Sequence, residues 1–544
     1  EGGIYTRTDY SMRGIDIRAT ATYNTSINNT HILNFFGGFE NSSIDRTRSW
    51  FRGWGYQYDK GGTPFYDYNV FKQGKEENTN YYTNEAANTR SVAFFVMGTY
   101  SYEGKYTLTG TGRYEGTNRL GKSRSARWLP TWNIAGAWNV HEEKFYSNFS
   151  HPVLSHATLK ASYSLTADRG PAFVTNSQTI LNSYSPWRPS ASVTESGMRI
   201  TELENSELTY EKKHEFNVGV DLGFLHNRIN LAADYYRRNN FDLIGVINTQ
   251  GAGGTIAKYA NIASMRSSGI ELTLSTQNIK KKGFSWNTDF IFSKTKNEIT
   301  DLKSHANVLD LISGNGFGRE GYPVRALFSI PFAGLTEDGL PTFINQDGQR
   351  TISTLNFQEY EKLGFLKYEG PTDPTITGSF GNILTYKNFK LNVFLTYSFG
   401  NVIRLDPVFS SAYSDLDAMP KEFKNRWMKA GDENTTNIPT IVSYRMNQQY
   451  AYLNMAYNAY NYSDVRIADG GFIRLKEISL SYDLPAKVLN FFRLNKLQFK
   501  IQATNLFLLY ADSKLNGQDP EFFRSGGVST PVPRQFTFTI RLGL

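Results

Sequence analysis

The stretch Phe389–Phe399, FKLNVFLTYSF, decides the fold. Phe389, Leu391, Val393, Leu395, Tyr397 and Phe399 fall on one face of an extended chain. Lys390, Asn392, Thr396 and Ser398 fall on the other. Successive side chains of a strand point to opposite faces, so this period of two marks a strand between an apolar and a polar environment. LQFKIQAT (497–504), FNVGVDLGF (216–224), INLAADY (229–235), IELTL (270–274), FSWNTDFIF (284–292) and FTFTIRLGL (536–544) repeat it.

Extending the reading along the chain predicts about fifteen strands. They lie near 12–24, 31–42, 90–103, 105–115, 127–140, 157–168, 213–225, 228–245, 266–279, 284–299, 375–386, 389–401, 473–485, 496–509 and 534–544. Roughly ten to fourteen residues suits a tilted strand crossing a bilayer, whereas soluble strands run nearer five or six. The connections alternate in length. Short ones follow 24, 103, 140, 225, 279 and 386. The long ones are predicted as loops at 43–89, 169–212, 246–265, 300–374, 402–472 and 510–533. Short turns on one side and long loops on the other are the pattern of an outer-membrane barrel; a soluble sandwich or propeller has no reason to segregate loop length. The expected fold is therefore all-β: a transmembrane antiparallel β-barrel with long extracellular loops.

Composition agrees. Aromatics make up 15% of the 544 residues, with 34 Tyr and 38 Phe, while hydrophobic residues reach only 40%. No run of about 18 apolar residues suggests a membrane helix, and the alternation of a barrel strand averages to low hydropathy. The absence of cysteine removes disulfides and thiolate metal sites. The net charge of +8 is modest, and its one tight basic run, Lys280–Lys282, reads as a short turn, so no nucleic-acid surface is expected. Placing long loops outside makes Leu544 periplasmic and Glu1 extracellular. Bacterial barrels have even strand counts, so an odd count is read as earlier strands lying upstream.

GTNRLGKS (116–123) matches the G-x-x-x-x-G-K-[ST] spacing of a phosphate-binding loop. That chemistry needs a strand before the motif and a helix after it, whose N-terminal amides help hold the phosphates. KYTLTGTGRYE (105–115) supplies the strand. RSARWLPTWNIAGAWNV (124–140) alternates at Trp132, Ile134, Gly136 and Trp138, so a second strand is expected where the helix should stand. The motif is read as a polar loop, with Arg119 and Lys122 meeting water, lipopolysaccharide phosphates or a partner. The seven histidines form no H-x-H or H-E-x-x-H, and no G-x-S-x-G elbow occurs. No catalytic, cofactor or metal residue is expected. His141–Lys144 is read as a solvated turn, and Asn345–Gly348 as an Asp-Gly turn rather than a calcium loop.

The long loops carry the aromatics. Trp50, Trp54, Tyr56, Tyr58, Tyr66 and Tyr68 fall in 43–89, Trp187 in 169–212, and Tyr444, Tyr450 and Tyr452 in 402–472. Aromatic rings offer apolar faces with polar handles, so these ten are the candidates for contact with substrate or a covering partner. The competing assignment is loop packing and the interfacial aromatic belt.

An ordered set of motifs resembles one family over essentially the whole chain, the SusC/RagA-like TonB-dependent outer-membrane transporters of Bacteroidota. YEGTNRLG (114–121), with Arg127-Trp128 and Pro130 after it, is similar to a barrel loop of that family. LTYEKKHEFNVGVDLGFLHNRINLAADYYRRNNFDLI (208–244) and SGIELTLSTQNIKKKGFSWNTDFIFSKTKNEITDL (268–302) resemble two further blocks. DGGFIRLKEISLSYDLP (469–485), QATNLF (502–507), GQDPE (517–521) and PRQFTFTIRLGL (533–544) complete the order. The resemblance implies a barrel of about 22 strands, with an N-terminal plug domain and TonB-contacting segment that this chain does not contain. It implies import of large nutrients, oligosaccharides first and peptides second, beneath a SusD-like lipoprotein lid. It also implies TonB contact through the upstream part, a lipid and lipopolysaccharide surround, and a dimer of transporter–lid pairs. The reading kept against it is a barrel acting as a docking scaffold for a surface complex. One departure is the terminal residue: many outer-membrane barrels end in an aromatic, and here it is Leu544.

Overall fold

The computed structural model describes residues 3–64, 68–77, 79–148, 153–171, 180–184, 197–248, 251, 257–314, 318–411, 413, 416, 419, 421–450, 452–491, 493–523 and 533–543. Each of the fifteen expected strands is present. They are β1 (Gly3–Ile27), β2 (His31–Gln57), β3 (Tyr82–Tyr102), β4 (Tyr106–Thr117), β5 (Trp128–Asn139), β6 (Leu154–Asp168), β7 (Glu211–Phe224) and β8 (Ile229–Asn248). There follow β9 (Ala257–Lys281), β10 (Phe284–Leu302), β11 (Ile376–Tyr386), β12 (Phe389–Phe399), β13 (Phe472–Asp483), β14 (Lys496–Tyr510) and β15 (Gln535–Gly543). They pair in chain order in one sheet, and the short strand Thr63–Pro64 joins it against β2. Pairing only with chain neighbours is what hairpin connections dictate.

The turns show how register is set. Between β11 and β12 the chain reverses over Lys387 and Asn388, with Lys387 at φ 51°, and Tyr386 faces Phe389. From there the ladder runs unbroken to Ile376↔Phe399. Asn28 and Asn29, at φ 53° and 57°, turn β1 into β2. Asparagine tolerates this left-handed region better than most residues.

The sheet runs past two predicted loop boundaries. Residues 43–57 extend β2, paired on one side with β1 (Ser43↔Ile15 to Tyr56↔Gly3) and on the other with β3 (Ser43↔Arg90 to Phe51↔Tyr82). The loop predicted at 43–89 is therefore only 58–81, and Trp50, Trp54 and Tyr56 stand on a strand. NSSIDRTRS (41–49) is polar on both faces, so the backbone stays extended where the period-two signal has ended. Strands also enter the loop expected at 246–265: β8 runs to Asn248 and β9 starts at Ala257.

By compactness the chain divides into two units, Glu1–Ala137 with Ser162–Glu215 and Asn240–Ser264, and Trp138–Ala161 with Phe216–Asn239 and Met265–Leu544. In the second unit the opening stretch keeps its two faces. Lys390 and Asn392 of β12 lie opposite Ser481 and Ser479 of β13, and Lys500 of β14 lies opposite Ser481. With Gln498 and Arg541 they line a polar recess of about 230 Å³. Described residues of two long connections of this unit pack together. Residues 308–460 contribute a core in which Val308, Ile312, Phe328, Ile330, Leu340, Phe343, Ala456 and Tyr457 are at most 1% exposed. Each large apolar side chain buried there contributes about 1.5–3 kcal/mol. The helix Leu453–Asn461 locks into this core through Asn461, whose Nδ2 donates to the Phe409 carbonyl (2.7 Å) and whose Oδ1 accepts from the Phe409 amide (3.1 Å). The Asp-Gly turn at Asn345–Gly348 joins two short strands, with Gly348 at φ 75° and its amide donating to the Asn345 carbonyl.

Candidate functional site

GTNRLGKS is held by contacts with Trp128 and with residues 204–210 of the first unit. Its downstream neighbour is one helical turn, Arg124–Arg127, capped by Ser123 Oγ accepting from the Ala126 amide (3.1 Å), and β5 follows at once. A single turn gives no array of aligned amides for phosphates. Both glycines are used for close packing. A Cβ on Gly116 would sit 2.6 Å from the Trp128 indole, and one on Gly121 would overlap the Ser206 carbonyl oxygen. The Gly121 amide donates to the Leu208 carbonyl (2.8 Å), and Lys122 pairs with Glu204 at 3.0 Å. Lys122 is half exposed to water, and its ammonium is also paired with Glu204 of the neighbouring segment. Leu120, fully buried, joins Leu129, Leu208, Tyr210 and Ile244 in an apolar cluster that fastens the two segments together.

Beside this cluster lies a cavity of about 500 Å³ at the ends of β4, β5 and β6, lined entirely from the first unit. Its lining joins strand residues with residues of the adjoining segments, Arg119, Arg169 and Tyr210 among them. Arg113 and Glu115 alternate along β4 with Tyr114, which is exposed on the opposite face. Glu115 accepts from Arg113 Nη2 (2.7 Å) and from Arg169 Nε (2.8 Å). Arg113 also reaches Glu40 of β2 (2.8 Å), which pairs with Arg18 at 3.3 Å. Every carboxylate in this row is shared by two guanidiniums. Arg119 stands at the rim, its Nη2 donating to the Pro171 carbonyl (2.9 Å). Its Nε is buried and has no partner among the described residues. Burial, and then the charge of Arg169, hold the Arg119 guanidinium below its usual pKa. Tyr210 closes one side, its hydroxyl donating to the Arg127 carbonyl (3.2 Å). Burial first and the Glu115 charge second push that hydroxyl up to about 12, so it offers a dipole and no charge at neutral pH. Nothing in the sequence pointed to this grouping except Arg119, because its members are separated by up to 97 positions between Arg113 and Tyr210.

The aromatic candidates do not form one surface. Tyr56 stacks on Tyr5 (centroids 5.2 Å) and meets Tyr58 edge-on (4.6 Å), while Tyr58 donates to the Ile4 carbonyl (2.8 Å). Arg52 lies over the Trp50 ring at 5.1 Å, and the Trp54 ring lies against Gly74. Tyr450 donates to Asp338 (3.2 Å), and that bond and burial hold its hydroxyl pKa up. Tyr444 and Tyr452 are 82% and 71% exposed, and Tyr68 is 75% exposed. Tyr66 and Trp187 lie outside the described residues. His141, expected to be solvated, is instead packed: its Nδ1 lies 3.0 Å from the Ala157 carbonyl and its ring 4.2 Å from that of His156. Among the described residues no cluster of metal-ligating side chains occurs, and no helix is long and apolar enough to cross a membrane.

Residues 3–506 match the family model described as TonB dependent receptor-like, beta-barrel. TonB-dependent receptor P3 of Formosa agariphila is 25% identical over 463 residues, 81% of this chain and 42% of that protein. TonB-dependent receptor SusC of Bacteroides thetaiotaomicron is 26% identical over 489 residues, 83% of this chain and 43% of that protein. The chain thus spans about half the length of the curated relatives it matches. Among solved structures the RagAB peptide transporter superposes with a TM-score of 0.76 at 19% identity, over 95% of this chain and 54% of that one. This last likeness is one of fold. A sheet of fifteen long antiparallel strands with one polar face, matched along nearly its whole length by the family model, places the chain in the TonB-dependent receptor-like family of outer-membrane β-barrels.

Proposed function

We propose that the chain forms barrel wall and outer loops of an energised outer-membrane importer for large nutrients, working with a SusD-like surface lipoprotein. The observation that carries this reading is the match to the family model over residues 3–506, together with relatives that include SusC. The loop core around Phe328, Phe343 and Tyr457 supports it, because an import site needs outer loops of fixed shape. Tyr58, Tyr68, Tyr444 and Tyr452, the most exposed of the described candidates, are the proposed contacts with substrate or lid. Oligosaccharides are the first substrate class, and peptides the second in view of the peptide-transporting neighbour. TonB would act through a part of the protein outside this chain. The long loops would face outward, and the importer–lid pairs would assemble as dimers.

The test is growth. Strains lacking this gene, or lacking TonB, should lose growth on one polysaccharide or protein as sole carbon source. A surface lipoprotein should copurify with the full-length protein. Normal growth of both strains on every such source would contradict import and favour a docking scaffold.

A further inference from the structure

We infer that the cavity rimmed by Arg119 is a binding subsite for a carboxylate group. The inference rests on the import reading and adds to it the chemistry of one contact. Five groups at the cavity carry charge: Arg113, Glu115, Arg119, Asp168 and Arg169. Glu115 is already engaged by two guanidiniums, Arg113 and Arg169. Asp168 accepts from the Gly170 amide (2.9 Å). Arg119 is left with one neutral carbonyl for its guanidinium and a buried, unbonded Nε. The charges of Arg169 and Asp168 act on Arg119 in opposite senses, but among the described residues no carboxylate is hydrogen-bonded to its guanidinium, and the partner that its fork geometry suits is a planar carboxylate held by paired N–H donors. Thr131 and Thr166 add hydroxyls to the wall, and the Tyr210 hydroxyl stays protonated, so the remaining lining suits a polar ligand. The volume of about 500 Å³ lies in the range of small-molecule sites, enough for the end of a chain molecule. Two sources present such a carboxylate at an end: the C-terminus of a peptide, and a uronic acid sugar.

The test uses the full-length protein in detergent, with any copurifying lipoprotein, and titration calorimetry. The probes are trialanine against trialanine amide, and trigalacturonate against neutral galactotriose. At least one acidic probe should bind saturably, which names the source. Arg119→Gln should weaken that binding tenfold or more, and Arg119→Lys should restore part of it. The neutral counterpart should not distinguish the variants. Lys122→Gln, in the same turn but paired with Glu204, should bind as the parent does. Equal binding of the acidic probe to parent and Arg119→Gln, or binding of neither acidic probe, overturns the subsite. Saturable, Arg119-dependent binding in a protein whose loss leaves all growth unchanged would keep the subsite and reject import.

Discussion

At the scale of single residues, Gly121 shows why GTNRLGKS is not a nucleotide site. Its missing side chain is filled by the backbone at Ser206, and the same closeness lets its amide reach the Leu208 carbonyl. Gly121→Ala should therefore push 204–208 away, at a cost of about 1–3 kcal/mol. Limited proteolysis should show faster cleavage within 169–210, with the barrel itself still resistant; unchanged cleavage would mean the contact is not as drawn. Leu120→Ala removes a fully buried side chain from the same clamp and should cost about 2–5 kcal/mol, read by the same cleavage. Lys122→Ala loses only an exposed pair worth less than about 1 kcal/mol and should leave uptake unchanged. The motif was legible as a non-P-loop because Trp132, Ile134, Gly136 and Trp138 alternate where a helix would need a period near 3.6. Its packing partner was not, since Ser206 and Leu208 lie more than 80 positions away and no local pattern encodes a contact of that kind. The Arg113–Glu115–Arg169 row was hidden for the same reason.

At the scale of elements, alternation between an apolar and a polar face made the long strands readable, and strands run on where that alternation ends. β2 continues to Gln57 although Ser42, Ser43, Asp45, Arg46 and Arg48 carry no alternation. Loop aromatics were hard to assign for this reason, with Trp50, Trp54 and Tyr56 held on that strand. In β12, Val393→Arg places a charge on the apolar face and should cost about 2–4 kcal/mol at mid-bilayer. Asn392→Arg, one residue away, should cost little. Folded fractions read from heat-modifiable gel mobility in lipid vesicles would separate them, and equal loss in both would break the two-face assignment. The loop turn around Gly431 gives a pH test. Glu433 accepts from Trp427 Nε1 (3.1 Å) and the Gly431 amide (2.8 Å). Its own amide first and the Trp427 indole next hold its carboxyl pKa down. A folded pKa below the unfolded one, about 4.3, gives stabilisation that is complete above that value and is lost as pH falls through the folded one. Hydrogen exchange at 427–436 should accelerate in that acid range in the parent. Glu433→Gln should show the faster exchange already at pH 7 and no further step.

At the scale of the molecule, the import reading needs what this chain shares with relatives about twice its length. On that reading the sheet and the loop core would supply wall and outer surface, and the energy coupling would come through TonB. A scaffold and an importer differ in one respect that whole cells report directly. Cells expressing the full-length protein are given a fluorescent ligand drawn from the nutrient on which the deletion strain fails. Surface binding and periplasmic accumulation are then followed together, before and after a protonophore collapses the proton-motive force. Energised import predicts that binding persists while accumulation stops. Accumulation that continues at the same rate, or binding with no accumulation in untreated cells, would contradict it.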